Sequence, residues 1–199
     1  MSKLMQQKKI ILASQSPQRI QILKNAGFDF ATMTSNYPEV FRSIAPEELA
    51  KLHALGKVID VVSRSEDTNN KVFVGCDTIV FCNGEILEKP EDVEDAARML
   101  KLQSEVGIST VVSGLAVLDA QTGQEYVTEV ITKVYLQKLT NLELDWYLST
   151  KEWEGKSGGF AIQGLGSRFF TGVEGDILNV VGLPLNKLYQ ILLDWRVIA

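Results

Sequence analysis

The chain has 199 residues, enough to bury one substantial core or two smaller lobes. Its 25 acidic and 20 basic side chains leave a net charge of −5, which argues against the broad basic face needed to bind along a nucleic-acid backbone, so any phosphate contacted is expected to belong to a small molecule. No apolar stretch reaches the length of a membrane span, and residues 1–9 are too polar and short for a signal peptide, so a cytoplasmic protein is expected, built as a single domain over 1–199.

The first predicted strand is the apolar run 9–13, which breaks at Ser14-Gln15-Ser16 before a helix resumes at Pro17. Ser16 suits the N-cap, Pro17 the first helical position, where its missing N–H would lack a partner anyway, and Gly27 the left-handed residue that ends the helix. Ile20, Leu23 and Ala26 recur at helical spacing and are expected to face the core. Arg19 stands in the first turn, where the macrodipole opposes a cation by about 0.3–1 kcal/mol. Free backbone N–H groups there attract negative groups, so the loop and Arg19 outline an anion site. A capped surface helix with a solvated arginine is the equally open alternative.

Helical spacing returns over 46–62. Leu49, Leu52, Gly56 and Ile59 form one stripe, and Ala50, Ala54, Lys57 and Val61 an adjacent one. Lys57 is either a lysine snorkelling from the edge of a packed face or an ammonium held at a cleft wall. His53, the single histidine, lies on the same helix and is expected to be an ordinary surface or boundary residue. One histidine and two cysteines do not supply the usual Cys/His zinc sets or a Ser-His-Asp triad. Cys76 and Cys82 share one predicted strand, about 20 Å apart at strand rise, and cannot pair within it. The chemistry must be built from carboxylates, lysine, arginine, amides and hydroxyls.

After a polar loop at 63–70, the run 71–87 is β-rich and apolar. Asn83-Gly84 is a strong type I′ hairpin signal, which pairs Cys82 with Glu85 and, by extension, Thr78 with Lys89. Asp77 interrupts the first of these strands. An ionised carboxylate there is costly unless it meets a cation, a metal or several donors, which makes it a candidate for function. The ladder should bring Lys89 toward Asp77, with Pro90 or a bulge releasing Lys89 from strict alternation. Residues 93–102 then read as a helix, 110–118 and 125–139 as long strands around Gln121-Thr122-Gly123, and Thr140-x-x-Glu143 as a capping box that opens another helix. The glycine-dense loop 155–166 carries Lys156, Phe160 and Gln163, and its glycines permit close backbone approach to a ligand. Leu185, Leu188, Leu192 and Trp195 close the chain as a core-facing helix.

In this order the segments resemble the Maf family of nucleotide pyrophosphatases over nearly the whole chain. Ile11-Leu12-Ala13-Ser14-x-Ser16-Pro17-x-Arg19 is similar to the family's amino-terminal loop, and Gly75-Cys76-Asp77-Thr78 to its acidic strand motif, followed by Asn83-Gly84 and Glu88-Lys89-Pro90. Gly155-Lys156-Ser157-Gly158-Gly159-Phe160-Ala161-Ile162-Gln163-Gly164 and Asn179-Val180-Val181-Gly182-Leu183-Pro184-Leu185 resemble its two carboxy-terminal signatures. The resemblance implies an α/β fold, Maf/ITPase-like, with an elongated mixed β-sheet flanked by helices and two lobes around a cleft, commonly as a homodimer. It also implies hydrolysis of a nucleoside triphosphate between its α and β phosphates, to the monophosphate and pyrophosphate, with a divalent cation such as Mg²⁺ or Mn²⁺. Clearing non-canonical or excess nucleotides would be its purpose.

Asp77 falls at the position of the family's proposed proton acceptor. Ser14, Arg19, Lys57 and Lys89 would bind and neutralise the polyphosphate, and Gln18, Thr78 and Gln163 complete the implied substrate set. Glu39, in Tyr37-Pro38-Glu39, lies near the family's acidic loop position and joins Asp77 as a candidate metal ligand. Two departures stand out. Many members carry paired arginines after Ser-Pro where this chain has Gln18-Arg19, and the family's Ser-Gly segment with its histidine is here Gln103-Ser104-Glu105-Val106-Gly107-Ile108-Ser109. Thr78 and Ile162-Gln163-Gly164 resemble the branch that acts on dTTP and UTP, whereas Asp-Gln and Ser-Glu-Gly mark the branch that acts on 7-methyl-GTP. A glutamine amide donates and accepts, matching a pyrimidine's carbonyl and N–H edge, while a carboxylate better suits a positively charged methylated guanine. A pyrimidine triphosphate is therefore expected. The alternatives are 7-methyl-GTP or another modified nucleotide, which Gln18 keeps open, and a catalytically weak nucleotide-binding regulator of cell division. Neither nucleic acid nor membrane is an expected partner.

Overall fold

The structure, a computed structural model, describes residues 5–40 and 42–199. Among the described residues seven strands form one mixed sheet in the order β2-β1-β3-β5-β6-β7, with β4 paired to β3. They are β1 (Lys9–Leu12), β2 (Phe30–Thr32), β3 (Lys71–Cys82), β4 (Glu85–Leu87), β5 (Ile108–Asp119), β6 (Gln124–Leu136) and β7 (Phe170–Glu174). The α-helices are α1 (Pro17–Asn25), α2 (Pro46–Ser63), α3 (Val93–Val106), α4 (Asn141–Ser149), α5 (Ile177–Val181) and α6 (Leu185–Asp194). β1 runs parallel to β2 and β3, whereas β4 pairs antiparallel with β3, and β7 with β6. The mixed α/β sheet flanked by helices is thus present. Among the described residues no helix is long and apolar enough to cross a membrane.

The chain divides into two compact units. The first takes the chain up to Asp77, Ser113–Val130 and Gly182–Ala199; the second takes Thr78–Val112 and Ile131–Val181. In the first, α2 packs Ala54, Val58 and Val61 against Ile11, Ala13, Phe73 and Ala116. The contact is close enough that a Cβ on Gly75 would collide with the carbonyl of Ala54, and one on Gly114 with the carbonyl of Ala50. Successive side chains of a strand alternate between faces, so Asp77 shares Gly75's face.

The second unit has two apolar clusters, one around Val80, Leu87, Met99, Val111 and Leu136 and another around Ala96, Leu100, Tyr147, Trp153 and Phe169. Its hairpin forms as expected. Cys82 pairs with Glu85, and Asn83 and Gly84 both take positive φ, 50° and 84°, as a type I′ turn requires. The strand β4 ends at Leu87, so the ladder stops short of a Thr78–Lys89 pair.

Several expected faces shift. In α1 the fully buried side chains are Ile22 and Leu23, with Ile20 and Ala26 only half covered. In α2 the Ala50, Ala54, Lys57, Val61 stripe is buried, but of the other stripe only Leu49 is; Ile59 stands exposed and the Gly56 face meets a loop. Helix α3 runs past Leu102 to Val106, because Gln103 and Ser104 bury their polar ends in hydrogen bonds rather than ending the apolar face. The strand β6 leaves the ladder at Leu136, beyond a bulge, where the Gln137 N–H bonds the Phe169 carbonyl and the Leu139 N–H the Ser104 hydroxyl.

Candidate active site

Packing of α2 on β3 places two side chains of the helix, His53 and Lys57, on either side of Ala54 and against Asp77. Asp77 is 6 % exposed. Its Oδ1 accepts from Lys57 Nζ at 2.6 Å and its Oδ2 lies 3.1 Å from His53 Nδ1. Burial alone would push the carboxyl's pKa up. The His53 hydrogen bond and the Lys57 charge outweigh it, with a further contribution from Arg19, and hold Asp77 well below the usual carboxylate range. The same contact raises His53 above its ordinary value of 6.5, against the opposing effect of burial. Lys57 is neither snorkelling nor solvated: it is 7 % exposed and its ammonium also meets Glu39 Oε1 at 2.8 Å.

Glu39 reaches Lys57 because one face of α2 holds the segment 34–40. Arg64 donates to the Thr34 carbonyl at 2.6 Å, and Asp60 Oδ2 accepts from Ser35 Oγ at 3.0 Å and the Asn36 N–H at 2.8 Å. The Arg64 hydrogen bond, and then the Asn36 N–H, lower Asp60 to about 2. The Tyr37 ring fills the space that a Cβ on Gly56 would take, and its centroid stands 6.0 Å from that of His53. The Val40 carbonyl faces His53 Nε2 at 3.3 Å. Residues 53, 56, 57, 60 and 64 recur at three- and four-residue spacing and so share a face.

The serine loop forms as expected. Ser16 caps α1 with Pro17 behind it. Ser14 is buried, and its Oγ accepts from the Ser16 N–H at 3.1 Å and from Arg19 Nη1 at 3.4 Å. Arg19 Nε donates to the Gly182 carbonyl at 2.7 Å, so the guanidinium is tied over the loop instead of extending into water. Gln18 Oε1 accepts from Ser16 Oγ at 3.1 Å.

The remaining candidates lie in the second unit. Thr78 is half-buried, and Lys89 and Gln163 are exposed. The glycine-dense loop is held from below. Gln103 Nε2 donates to the Gly158 carbonyl at 2.6 Å and to the Met99 carbonyl at 3.2 Å, while its Oε1 accepts from Ser109 Oγ at 3.1 Å. The Gly158 N–H in turn bonds the carbonyl of Glu88, next to Lys89, at 2.9 Å. The Tyr147 hydroxyl donates to the Gly159 carbonyl at 3.2 Å and accepts from the Ala161 N–H at 3.0 Å. The segment without a histidine therefore supplies an amide and a hydroxyl that anchor this loop.

His53 overturns an expectation: it is 5 % exposed and in contact with Asp77. The signal was its place four residues before Lys57, beside Ala54 on the buried stripe. Glu39, His53 and Asp77 each offer a ligand atom, and the three atoms lie within 4.8 Å of one another. The Lys57 ammonium touches both carboxylates, a position in which two anionic groups share positive charge. Two carboxylates and an imidazole whose ligand atoms lie this close together fit a divalent cation.

The model of the family described as Maf-like protein matches residues 9–195. A curated protein of Syntrophotalea carbinolica named dTTP/UTP pyrophosphatase is 43 % identical over 188 residues, covering 92 % of this chain and 83 % of its own length. Proteins of the same name from Clostridium novyi and Methanosarcina barkeri are each 41 % identical, covering 95 % and 93 % of this chain and 98 % and 93 % of their own.

Proposed function

The chain belongs to the Maf-like protein family, and from that premise we propose that it hydrolyses dTTP and UTP to the nucleoside monophosphate and pyrophosphate. The observation that carries the reading is the buried Asp77 carboxylate, held ionised by Lys57 and His53. A carboxylate is costly at such a place, and an enzyme that activates water beside a polyanion needs one there.

In this reading water attacks the α-phosphorus, the bond from that phosphorus to the bridging oxygen of the β-phosphate breaks, and pyrophosphate leaves with the bond's electron pair. Asp77 accepts the proton of the attacking water. In the resting arrangement Asp77 is a poor base, because Lys57 and His53 favour its charged form. A triphosphate competes for the Lys57 ammonium, and as Lys57 turns toward phosphate the carboxylate becomes more basic. Arg19, Ser14 and the N–H groups opening α1 bind phosphate oxygens. Glu39, His53 and Asp77 would hold a divalent cation, which when bound would neutralise phosphate charge. The roles of Lys89 on phosphate and of Thr78, Gln18 and Gln163 in substrate choice rest on the motif match, as does a homodimer.

The test is a screen of dTTP, UTP, CTP, GTP and 7-methyl-GTP with Mg²⁺ and with Mn²⁺, reading released pyrophosphate. The expected result is the highest kcat/KM for dTTP or UTP. Preference for 7-methyl-GTP would overturn the substrate, and binding without turnover of any nucleotide would overturn the reaction.

A further inference from the structure

His53 presents a problem of hydrogen-bond donors. Its Nε2 stands 3.3 Å from the Val40 carbonyl, which only accepts, so Nε2 must carry a proton to make that bond. Its Nδ1 stands 3.1 Å from Asp77 Oδ2, and an ionised carboxylate also only accepts. Two lone pairs do not face each other at that distance unless positive charge lies between them, as a proton or as a metal ion.

The surroundings suit a metal ion. Adjacent ligands of a cation held at about 2.1 Å lie about 3 Å apart, which is the Nδ1–Oδ2 separation seen here. The Val40 carbonyl supplies the outer hydrogen bond that fixes the tautomer of a ligating histidine. Glu39, whose side chain is 53 % exposed, is free to adjust, and it completes three ligand atoms within 4.8 Å of one another. Lys57, which touches both carboxylates, is the group that a cation would displace toward phosphate.

We infer that His53 Nδ1 is a direct ligand of the divalent cation, so that Glu39, His53 and Asp77 form a mixed nitrogen–oxygen site that prefers Mn²⁺ or Co²⁺ to Mg²⁺. An imidazole nitrogen suits these borderline ions, whereas Mg²⁺ favours oxygen ligands and retains its waters. The inference deepens the proposed function, since it rests on reading this cluster as the cation site of a pyrophosphatase.

The experiment is Mn²⁺ binding to the full chain without nucleotide. Loss of the free-ion electron paramagnetic resonance signal gives Kd, Mg²⁺ competition gives the second Kd, and pulsed measurements detect a coordinated ¹⁴N. The expected result is nitrogen coupling in the wild type and none in His53→Gln, with Mn²⁺ affinity at least about tenfold weaker in His53→Leu and Mg²⁺ affinity changed much less. A wild-type Mn²⁺ complex without nitrogen coupling, or equal losses for both ions, would overturn it. If His53→Leu does not fold, the wild-type coupling and His53→Gln decide. Absence of pyrophosphate release from dTTP and UTP would sink the proposed function and leave this readout intact.

Discussion

Tyr37 lays its ring in the space that a side chain on Gly56 would occupy, one turn along α2 from His53. This contact fixes where the next residues of the loop run, and it thereby brings the Glu39 carboxylate to Lys57. Gly56→Ala should push the ring away, at the cost of about 1–3 kcal/mol that overpacking brings. Activity should fall more than stability alone explains. Adding Tyr37→Ala should recover stability, because the clash goes, but not activity, because the loop loses its anchor. Melting temperature and kcat/KM of the two variants check this, and recovery of both together would show that Tyr37 only fills space.

Asp77→Asn should keep the fold and nucleotide binding while lowering kcat by at least the roughly 10²-fold typical of a lost general base. Binding can tighten, since one negative charge facing the phosphates is gone. Pyrophosphate release together with calorimetric binding measures both quantities, and turnover near wild type would remove Asp77 from the chemistry.

Lys57→Met leaves a buried carboxylate with His53 as its main partner. Breaking a buried pair by removing one member costs about 3–5 kcal/mol, so a melting temperature lowered by many degrees is expected, with a higher KM for the nucleotide. If denaturant unfolding shows no loss, Lys57 contributes nothing net to the folded state.

Stability in metal-free buffer should fall at both ends of the pH range. The Asp77 carboxyl is held in the folded protein below its ordinary value of 3.8, so its contribution is complete above that value and is lost as pH falls toward the folded one. His53 is raised above 6.5, so its contribution is complete below about pH 6.5 and is lost as pH rises through the folded value. Asp77→Asn should flatten both arms, because the two shifts share one contact. Melting temperature across the pH range for both proteins is the measurement, and an alkaline arm unchanged in the variant would assign it to another group.

Gln163→Glu replaces an amide that donates with a group that only accepts. If Gln163 reads the base, a thymine or uracil carbonyl loses its partner, at about 1–3 kcal/mol, which is roughly ten- to a hundredfold in selectivity. Ratios of kcat/KM for dTTP, UTP, GTP and 7-methyl-GTP decide it, and unchanged ratios would place selectivity elsewhere.

What could be read from the sequence was local or sterically strict. The Ser16 cap, the Asn83-Gly84 turn and the Thr140 capping box each depend on neighbours within four residues, and all three form. Asp77 was conspicuous because a charge in an apolar strand is costly wherever the strand packs. His53 was not, because its meaning depends on a carboxylate 24 positions away and on a helix face that alternation and composition do not rank. The face of α2 that holds the loop looked like an interrupted apolar stripe, since Gly56 gives no sign of the ring that covers it. Gln103 likewise needed the fold to bring Gly158 beneath its amide.

The bare backbone contact of α2 with Gly75 and Gly114 has a bearing on how this protein tolerates change. Where a helix rests on a sheet through a layer of branched side chains, exchanging one of them alters the gap, and every group carried on the helix moves with it. Here peptide carbonyls also stand directly against the Cα hydrogens of the two glycines, contacts that hold the spacing even where the layer of Val58, Val61 and Phe73 beside them changes. The apolar residues around it are free to drift over generations, losing or gaining stability, while the spacing from ammonium to carboxylate stays as it is. The two glycines themselves are denied that latitude.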